Sequence, residues 1–323
     1  MKLNELFNFR KEELKHGWRD RKAVIALGGG GARGLAHLGV MESIGEAGVQ
    51  TERIVGVSMG SLVGAMCAVN PDFRSVQAKA IELLYSPIFL QKCEMMSGNA
   101  SQLSSSESNG SGNWSDMWYG NWYGRLKESF TNSRRIRRAL TTPALMRDNV
   151  LREAVDYLIP DIDIRKTKIP FSIVAADLLS GHRVVLEKGS LRKAVMASTA
   201  IPGFFPPVQW GKSLLCDVGV LDSLPITIAK SYASDLVIGV DVGNSHRSIN
   251  ECTTALDVLM RMDEIAERLI RRHMIKMADI VIRPEVGSRA WFDFSKPEEL
   301  IEEGRRAGHR VMKSMSQRIT MRR

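Results

Sequence analysis

Residues 54–68 read Ile-Val-Gly-Val-Ser-Met-Gly-Ser-Leu-Val-Gly-Ala-Met-Cys-Ala. This stretch begins with a short apolar run, reaches Ser58 and continues with small apolar residues at helical spacing, so it predicts a strand, a tight turn and a helix. Residues 23–41 show the same order, with an apolar run, four glycines and a helical segment. Two adjacent β-loop-α units predict a parallel sheet with helices packed on its faces.

The remainder of the chain continues this α/β pattern. Further strands are predicted at residues 172–176, 183–186, 213–216, 236–240 and 280–282, and long helices at 253–277 and 297–315. Their mixed order predicts a central, mainly parallel sheet with flanking helices and some antiparallel edges. A chain of 323 residues is long enough for one large α/β domain. We place this domain at residues 21–315, between an amphipathic segment (1–20) and a basic tail (316–323).

Charge and cysteine usage restrict the classes of protein that fit this sequence. The net charge of +9 attracts anionic surfaces. No zinc-finger spacing or RNA-binding signature accompanies this charge, so we expect no nucleic-acid partner. The four cysteines form no CxxC pair, which is typical of reduced thiols in a cytosol-like compartment. Because no segment has the apolar length of a signal peptide or a membrane span, we expect a cytoplasmic protein. The oligomeric state is not indicated.

The turn at Ser58 has the spacing of a nucleophile elbow. Gly56 and Gly60 stand two residues on either side of Ser58, which gives the pattern G-x-S-x-G between a strand and a helix. Such a turn holds a serine hydroxyl out toward a substrate, and a nearby base can then activate it. The alternative is an ordinary tight turn in which Ser58 only caps the helix that follows.

The glycine loop upstream, residues 28–34, offers backbone N–H groups that can converge on a developing oxyanion. The candidate oxyanion-hole residues are Gly29, Gly30, Gly31 and Arg33. Gly29, Gly31 and Gly34 also form the G-x-G-x-x-G fingerprint of dinucleotide-binding proteins, so a dinucleotide-binding enzyme is an alternative. That fingerprint expects an acidic residue at the end of the second strand, where this sequence has Gly56-Val57-Ser58.

These motifs together resemble the patatin-like phospholipase family. Residues 29–34 are similar to the family's G-G-G-x-R-G loop, residues 56–60 to its elbow, and residues 197–208 to its proline-containing segment. Residues 278–301 also resemble bacterial members. The resemblance implies a three-layer α/β/α fold and hydrolysis of fatty-acyl esters of (lyso)phospholipids or related lipids, with no metal or organic cofactor.

The resemblance also implies a catalytic dyad of Ser58 and Asp217 without histidine. In the family, the aspartate stands in D-G-G or D-G-A, whereas here Val218 follows Asp217. A catalytically impaired patatin-like binding protein is therefore a further alternative. Asp241, in a second Asp-Val-Gly, is the competing base. His246, His273 and His309 follow Asp217, so the Ser-Asp-His order of α/β-hydrolases is formally available, but that fold has several strands before its elbow and only one clear strand precedes Ser58. We expect His37, in the helix after the glycine loop, to be a packed or surface residue, and His182 to lie in a hairpin turn.

A polar and aromatic insert interrupts the predicted domain at about residues 97–124. Residues 97–112 are mostly Ser, Asn and Gly, which cannot bury enough apolar surface to order the chain. Trp114, Trp118 and Trp122 follow, and then a cluster of arginines at residues 134–138. Because tryptophan favours interfaces between apolar and wet surroundings, the insert is either a lid that contacts lipid or a flap packed on the surface. The first alternative predicts peripheral membrane contact.

Overall fold

The structure is a computed structural model that describes residues 21–320 except 88, 91–141, 145–147, 220, 244–251, 254, 288 and 290–291. The predicted amphipathic segment at 1–20, the insert at 97–124 and the arginine cluster at 134–138 lie outside the described residues.

One mixed sheet of eight strands forms the centre of the described part. Its strands are β1 (Lys22–Leu27), β2 (Gln50–Val57), β3 (Phe171–Asp177), β4 (Arg183–Leu186), β5 (Val208–Trp210), β6 (Ser213–Cys216), β7 (Leu236–Val240) and β8 (Ile280–Ile282). They are ordered β5-β6-β3-β2-β1-β7-β8, and β4 pairs with β3. Strands β3, β2, β1, β7 and β8 are parallel, whereas β4, β5 and β6 pair antiparallel. The predicted, mainly parallel sheet with antiparallel edges is therefore confirmed.

Eight α-helices connect and cover these strands in the described residues. They are α1 (Ala36–Glu46), α2 (Met59–Val69), α3 (Phe73–Tyr85), α4 (Asn149–Leu158), α5 (Leu191–Thr199), α6 (Ile226–Lys230), α7 (Ala255–Met277) and α8 (Pro297–Thr320). Short 3-10 helices cover Gly31–Leu35 and Ile164–Lys166. The last helix runs five residues beyond its predicted end, so the first residues of the predicted basic tail are helical.

Side chains alternate across the sheet and build a core on each face. On β1, Ala23, Ile25 and Leu27 face the larger core, which contains residues of α1 to α5 and α8. Val24 and Ala26 face the smaller core, against which α6 and α7 pack. All five side chains are fully buried, as expected for a parallel strand covered on both faces. The result is the three-layer α/β/α arrangement that the sequence predicts.

The sheet places both candidate site segments at one edge. Parallel β1 and β2 end next to each other, because Leu27 pairs with Gly56. The glycine loop follows β1 and Ser58 follows β2, so both segments leave the sheet at its carboxyl edge. This is the edge at which open α/β sheets bind their ligands.

Candidate active site

Ser58 occupies a strained backbone conformation between β2 and α2. Its φ is 53° and its ψ is −127°. Among the described residues, only Ser58 and Lys296 combine a side chain with a positive φ. The Ser58 side chain makes no capping hydrogen bond to α2, although it stands at the helix N-cap. The positive φ and the missing cap bond match the geometry expected of a nucleophile elbow better than that of a serine that caps its helix.

The two elbow glycines are required by the close approach of β2, α2 and β1. A Cβ atom at Gly56 would lie 2.5 Å from the Gly60 carbonyl oxygen, and one at Gly60 would lie 2.3 Å from the Leu27 carbonyl oxygen. Both distances are far below van der Waals contact, and the atoms met are backbone atoms. The spacing G-x-S-x-G therefore has a steric cause at this turn.

Ser198 fixes the backbone of the elbow, a role that the sequence did not reveal. The Ser58 N–H donates to Ser198 Oγ at 2.9 Å, and Ser198 Oγ in turn donates to the Val174 carbonyl oxygen at 2.7 Å. Ser198 is fully buried on α5. Ser198 lies in the proline-containing segment at 197–208. No sequence pattern predicts its contact with Ser58, because the two residues are 140 positions apart.

Asp217 is a buried carboxylate that lies beside Ser58. The Ser58 side chain is close enough to the Asp217 carboxylate to lower its pKa by hydrogen bonding. The Gly219 N–H donates to Asp217 Oδ1 at 2.8 Å, and the Asp217 N–H donates to the Ala200 carbonyl oxygen at 2.9 Å. Burial raises the pKa of Asp217 to about 6, although hydrogen bonding from the Ser58 side chain and the Gly219 N–H acts in the opposite direction. A carboxylate with this pKa accepts a proton near neutral pH more readily than an exposed one.

Val218 fits the loop without strain, although the resemblance predicts glycine at this position. Its φ is not positive, and its side chain is 2% exposed in the smaller core. The neighbouring Gly219 also has no positive φ. The backbone therefore does not need a glycine at position 218, and the Asp217 carboxylate keeps its hydrogen bond from Gly219.

The glycine loop packs directly against the elbow. The Gly29 N–H donates to the Ser223 carbonyl oxygen at 2.8 Å, and a Cβ at Gly29 would lie 3.2 Å from Ser58 Cβ. A Cβ at Gly34 would lie 2.3 Å from Met59 Cγ. Two of the three glycines in the dinucleotide fingerprint are thus explained by contact with the elbow.

Two amides of this loop are not engaged by an acceptor in the described residues. In the described part of the chain, the N–H groups of Gly30 and Gly31 have no hydrogen-bond acceptor. Gly31 begins the 3-10 helix Gly31–Leu35 and has a φ of 57°, a conformation that favours glycine. Its position at a helix start adds a dipole that favours a nearby negative charge.

Arg33 and His37 attach the glycine loop to neighbouring segments through hydrogen bonds. Arg33 Nη1 donates to the Arg289 carbonyl oxygen at 3.2 Å, which ties the loop to the segment before α8. His37 is fully buried, and its Nε2 lies 2.7 Å from the Gly28 carbonyl oxygen. Burial lowers the pKa of His37 to about 4, so it is neutral at physiological pH and its Nε2–H donates to that oxygen.

Asp241, the competing base, is held by arginines instead of Ser58. Arg283 Nε donates to Asp241 Oδ2 at 2.9 Å, and Arg271 Nη1 lies 3.4 Å from Asp241 Oδ1. The Gly243 N–H donates to Asp241 Oδ1 at 3.0 Å. This carboxylate is therefore satisfied by an ion-pair network.

The other histidines do not form a triad with Ser58 in the described residues. His182 and His273 are exposed, and His309 Nε2 lies 2.9 Å from Glu46 Oε2. His246 lies outside the described residues. Across the same residues, no three His, Cys, Asp or Glu side chains are grouped to hold a metal ion.

Comparison with known proteins identifies the family. A family profile described as Patatin-like phospholipase matches residues 25–230. The chain belongs to the patatin-like phospholipase family. The matched residues contain the glycine loop, the elbow and Asp217 of this patatin-like chain. Membership favours the interpretation of the glycine loop as part of an acyl-hydrolase site over the dinucleotide alternative.

Several relatives of this patatin-like chain are longer proteins. An uncharacterized NTE family protein of Mycobacterium bovis is 29% identical over 230 residues, which cover 69% of this chain and 50% of the relative. Patatin-like phospholipase domain-containing protein 7 of Mus musculus is 25% identical over 318 residues, which cover 89% of this chain and 20% of the relative. The chain thus spans half of the length of the first relative and less of the second.

A solved structure with a similar chain trace is that of VipD from Legionella pneumophila. Its TM-score is 0.42 at 13% identity, and the match covers 92% of this chain and 66% of that one. The ExoU-SpcU complex from the type III secretion system of Pseudomonas aeruginosa gives 0.43 at 14% identity, covering 92% and 52%. In the part of the patatin-like chain that the structure describes, no helix combines the length and apolarity needed to cross a membrane.

Proposed function

We propose that this protein is a serine acyl hydrolase that cleaves fatty-acyl esters of (lyso)phospholipids or related lipids. Ser58 is the nucleophile and Asp217 is the base. The observation that carries the proposal is the closeness of the Ser58 side chain to the buried Asp217 carboxylate, whose pKa is raised to about 6 by burial. The family membership supports the lipid ester as substrate.

Acylation uses the closeness of Ser58 and Asp217 directly. Asp217 accepts the hydroxyl proton while Ser58 Oγ attacks the ester carbonyl carbon. The carbonyl oxygen becomes negatively charged and is stabilised by the N–H groups of Gly30 and Gly31. When the tetrahedral intermediate collapses, the C–O bond to the leaving alcohol breaks and Asp217 returns the proton to that alcohol. The acyl group remains on Ser58 as an ester.

Deacylation repeats these steps with water as the nucleophile. Asp217 takes a proton from the water as its oxygen attacks the acyl carbon, and the same amides stabilise the second oxyanion. Collapse breaks the bond to Ser58 Oγ, and Asp217 returns the proton to Ser58. The fatty acid is released and both residues regain their initial protonation states.

A fluorophosphonate probe tests the nucleophile. The native protein is expected to be labelled covalently, and Ser58→Ala is expected to lose the label. Ser231→Ala is the matched control, because Ser231 is an exposed serine at the end of α6 whose hydroxyl donates to the Ile228 carbonyl oxygen of its own helix. Absence of label on the native protein supports the alternative of a catalytically impaired binding protein. Label that survives Ser58→Ala assigns the nucleophile to another residue.

The substrate class is tested by fatty-acid release. Phosphatidylcholine and lysophosphatidylcholine are incubated with native protein and with Ser58→Ala, and the released fatty acid is measured by mass spectrometry. Release by the native protein alone supports a (lyso)phospholipid hydrolase. Probe labelling without release from either lipid restricts the protein to other acyl esters. Because these substrates lie in membranes, the proposal includes peripheral contact with a lipid surface.

A further inference from the structure

Helix α7 turns two charged side chains toward the protein and exposes four large apolar side chains. Arg271 is 8% exposed and lies against Asp241, and Glu267 Oε1 accepts a hydrogen bond from Ser223 Oγ at 2.5 Å. The outward face of α7 consists of Val258, Leu259, Met262 and Leu269, which are 48%, 65%, 57% and 51% exposed. Helices on soluble domains normally bury their apolar stripe, so this face indicates an apolar partner.

The four exposed side chains share one side of the helix. At 100° per residue, they fall within an arc of about 100°, with Glu267 and Arg271 on the opposite side. Gly243 helps to fix this orientation, because a Cβ there would lie 0.8 Å from Arg271 Nη1. The Arg271 guanidinium occupies the space that a side chain at position 243 would take. The apolar face is therefore outward because the polar side is anchored.

Other exposed leucines surround the same edge of the sheet. Leu221 is 65% exposed, and Ser223, two residues further on, bonds both to Glu267 and to the Gly29 amide of the glycine loop. Leu178 and Leu179 are 53% and 67% exposed and follow β3, whose carboxyl end lies beside that of β2. These leucines and α7 thus lie near the edge at which Ser58 leaves the sheet.

The last turns of α7 add positive charge on the outward side. Arg272, His273 and Lys276 are exposed there. On a helix of 100° per residue, Lys276 lies in line with Val258, and Arg272 is about 40° from both. An apolar stretch followed by cationic side chains fits the boundary between the acyl chains and the phosphates of an anionic membrane. The net charge of +9 acts in the same direction.

We infer that the outward face of α7, with Leu178, Leu179 and Leu221, binds an anionic lipid surface. The apolar side chains enter the boundary between head groups and acyl chains, while Arg272 and Lys276 meet lipid phosphates. This contact brings the carboxyl edge of the sheet, and with it Ser58, to the lipid. The choice of a lipid surface rests in part on the proposed function, but the contact itself needs no catalysis.

Vesicle flotation of the full chain tests this inference in the Ser58→Ala background, so that binding is measured without hydrolysis. The vesicles are phosphatidylcholine alone and phosphatidylcholine mixed with phosphatidylglycerol. We expect stronger binding to the anionic vesicles, and roughly a tenfold loss or more when Leu259→Ser and Met262→Ser are combined. Tyr157→Ser is the matched control, because Tyr157 is 40% exposed on α4, in the opposite helix layer. Its binding should equal that of the parent.

A charge-reversal variant tests the electrostatic contribution to vesicle binding. Arg272→Glu with Lys276→Glu is expected to lose most of the preference for anionic over neutral vesicles, by roughly fivefold per residue. Higher salt should weaken binding of the parent to anionic vesicles and leave binding of this variant nearly unchanged. Equal preference in parent and charge variant overturns the electrostatic part of the inference.

If a protein surface instead of a lipid surface covers the outward face of α7, the experiments give different results. If a second copy covers it, the parent is a dimer by light scattering and Leu259→Ser with Met262→Ser is a monomer. If a segment of the same chain covers it, this double variant lowers the Tm by several degrees, whereas exposed side chains allow the change with little loss. Either result, or vesicle binding that the double variant retains in full, overturns the lipid-surface inference. Loss of probe labelling at Ser58 affects only the proposed function.

Discussion

The side chain of Ser58 lies beside the carboxylate of Asp217, close enough to lower its pKa by hydrogen bonding, and Asp217 is only 6% exposed. Burial disfavours the charged form of the acid and raises its pKa from 3.8 to about 6. The proposed dyad therefore contains a base whose proton affinity approaches that of a histidine. Two expectations about pH follow from this pair.

Activity is expected to rise with pH through about 6 and then to level off. Only the ionised Asp217 accepts the Ser58 proton, and its pKa is about 6. The measurement is the pH dependence of kcat/KM for a soluble p-nitrophenyl ester. His37 does not produce this transition, because its pKa is lowered to about 4.

The temperature dependence of the transition distinguishes a carboxyl group from an imidazole. A carboxyl pKa changes little with temperature, whereas an imidazole pKa falls markedly on warming. A transition near pH 6 that shifts strongly between cold and warm assays assigns the base to a histidine and contradicts the dyad.

Asp217→Asn is expected to stabilise the fold at neutral pH while it abolishes most activity. The folded-state pKa of Asp217 is raised, so the folded protein binds this proton more tightly than the unfolded chain. The native protein therefore loses stability as pH rises from about 4 to about 6. At about 1.4 kcal/mol per pH unit, this loss reaches about 3 kcal/mol above pH 6.

Urea denaturation of the native protein and Asp217→Asn measures this difference. The variant should be more stable at pH 8, and the difference should disappear near pH 4. General-base catalysis is worth about a hundredfold or more, so kcat should fall by at least that factor. Equal stability of the two proteins at both pH values contradicts a buried Asp217 with a raised pKa.

Asp241→Asn is expected to have the reverse effect. Arg271 is 8% exposed and pairs with Asp241, so removal of this carboxylate leaves a nearly buried cation with less compensation. Breaking such a pair costs about 3 kcal/mol. The Tm should fall, but the folded fraction should keep its rate of labelling at Ser58. If a folded Asp241→Asn variant loses turnover while Asp217→Asn retains it, the assignment of the base is wrong.

Most of the sheet is predictable from the sequence because buried strands consist of short, continuous apolar runs. Residues 23–27, 172–176 and 236–240 are examples, and each forms a strand. Helices α3 to α6 are not predictable from the sequence, since their short patterns carry little signal without the sheet they cover. Ser58 and Asp217 were identified through motifs and a resemblance, whereas Ser198 was not. A hydrogen bond between residues so distant in sequence leaves no periodic pattern in either segment.

Val218→Gly is expected to weaken the fold without improving catalysis. The resemblance predicts glycine at position 218, but the structure needs no positive φ there and buries the valine side chain to 2% exposure. The lost apolar contact and the added freedom of glycine together cost about 3 kcal/mol. Chemical denaturation measures this cost, and kcat is compared at a temperature where both proteins are folded. An increase in kcat would indicate that Val218 restrains Asp217.

Gly29→Ala and Gly60→Ala are expected to separate catalysis from folding. A Cβ at Gly29 would lie 3.2 Å from Ser58 Cβ and 3.8 Å from Ser58 Oγ, and its two nearest neighbours belong to that side chain. A small displacement of Ser58 relieves this contact, so kcat should fall while the Tm changes little. A Cβ at Gly60 would lie 2.3 Å from the Leu27 carbonyl oxygen, a backbone atom of the central strand.

Because that oxygen is fixed in the sheet, Gly60→Ala should cost about 3 kcal/mol or more of stability. Thermal denaturation and probe labelling of both variants make the comparison. A stable but unlabelled Gly29→Ala, beside a destabilised Gly60→Ala, is the expected pair of results. If Gly29→Ala is instead labelled at the native rate, the glycine loop does not press on the nucleophile, and its packing against Ser58 has no part in positioning the hydroxyl.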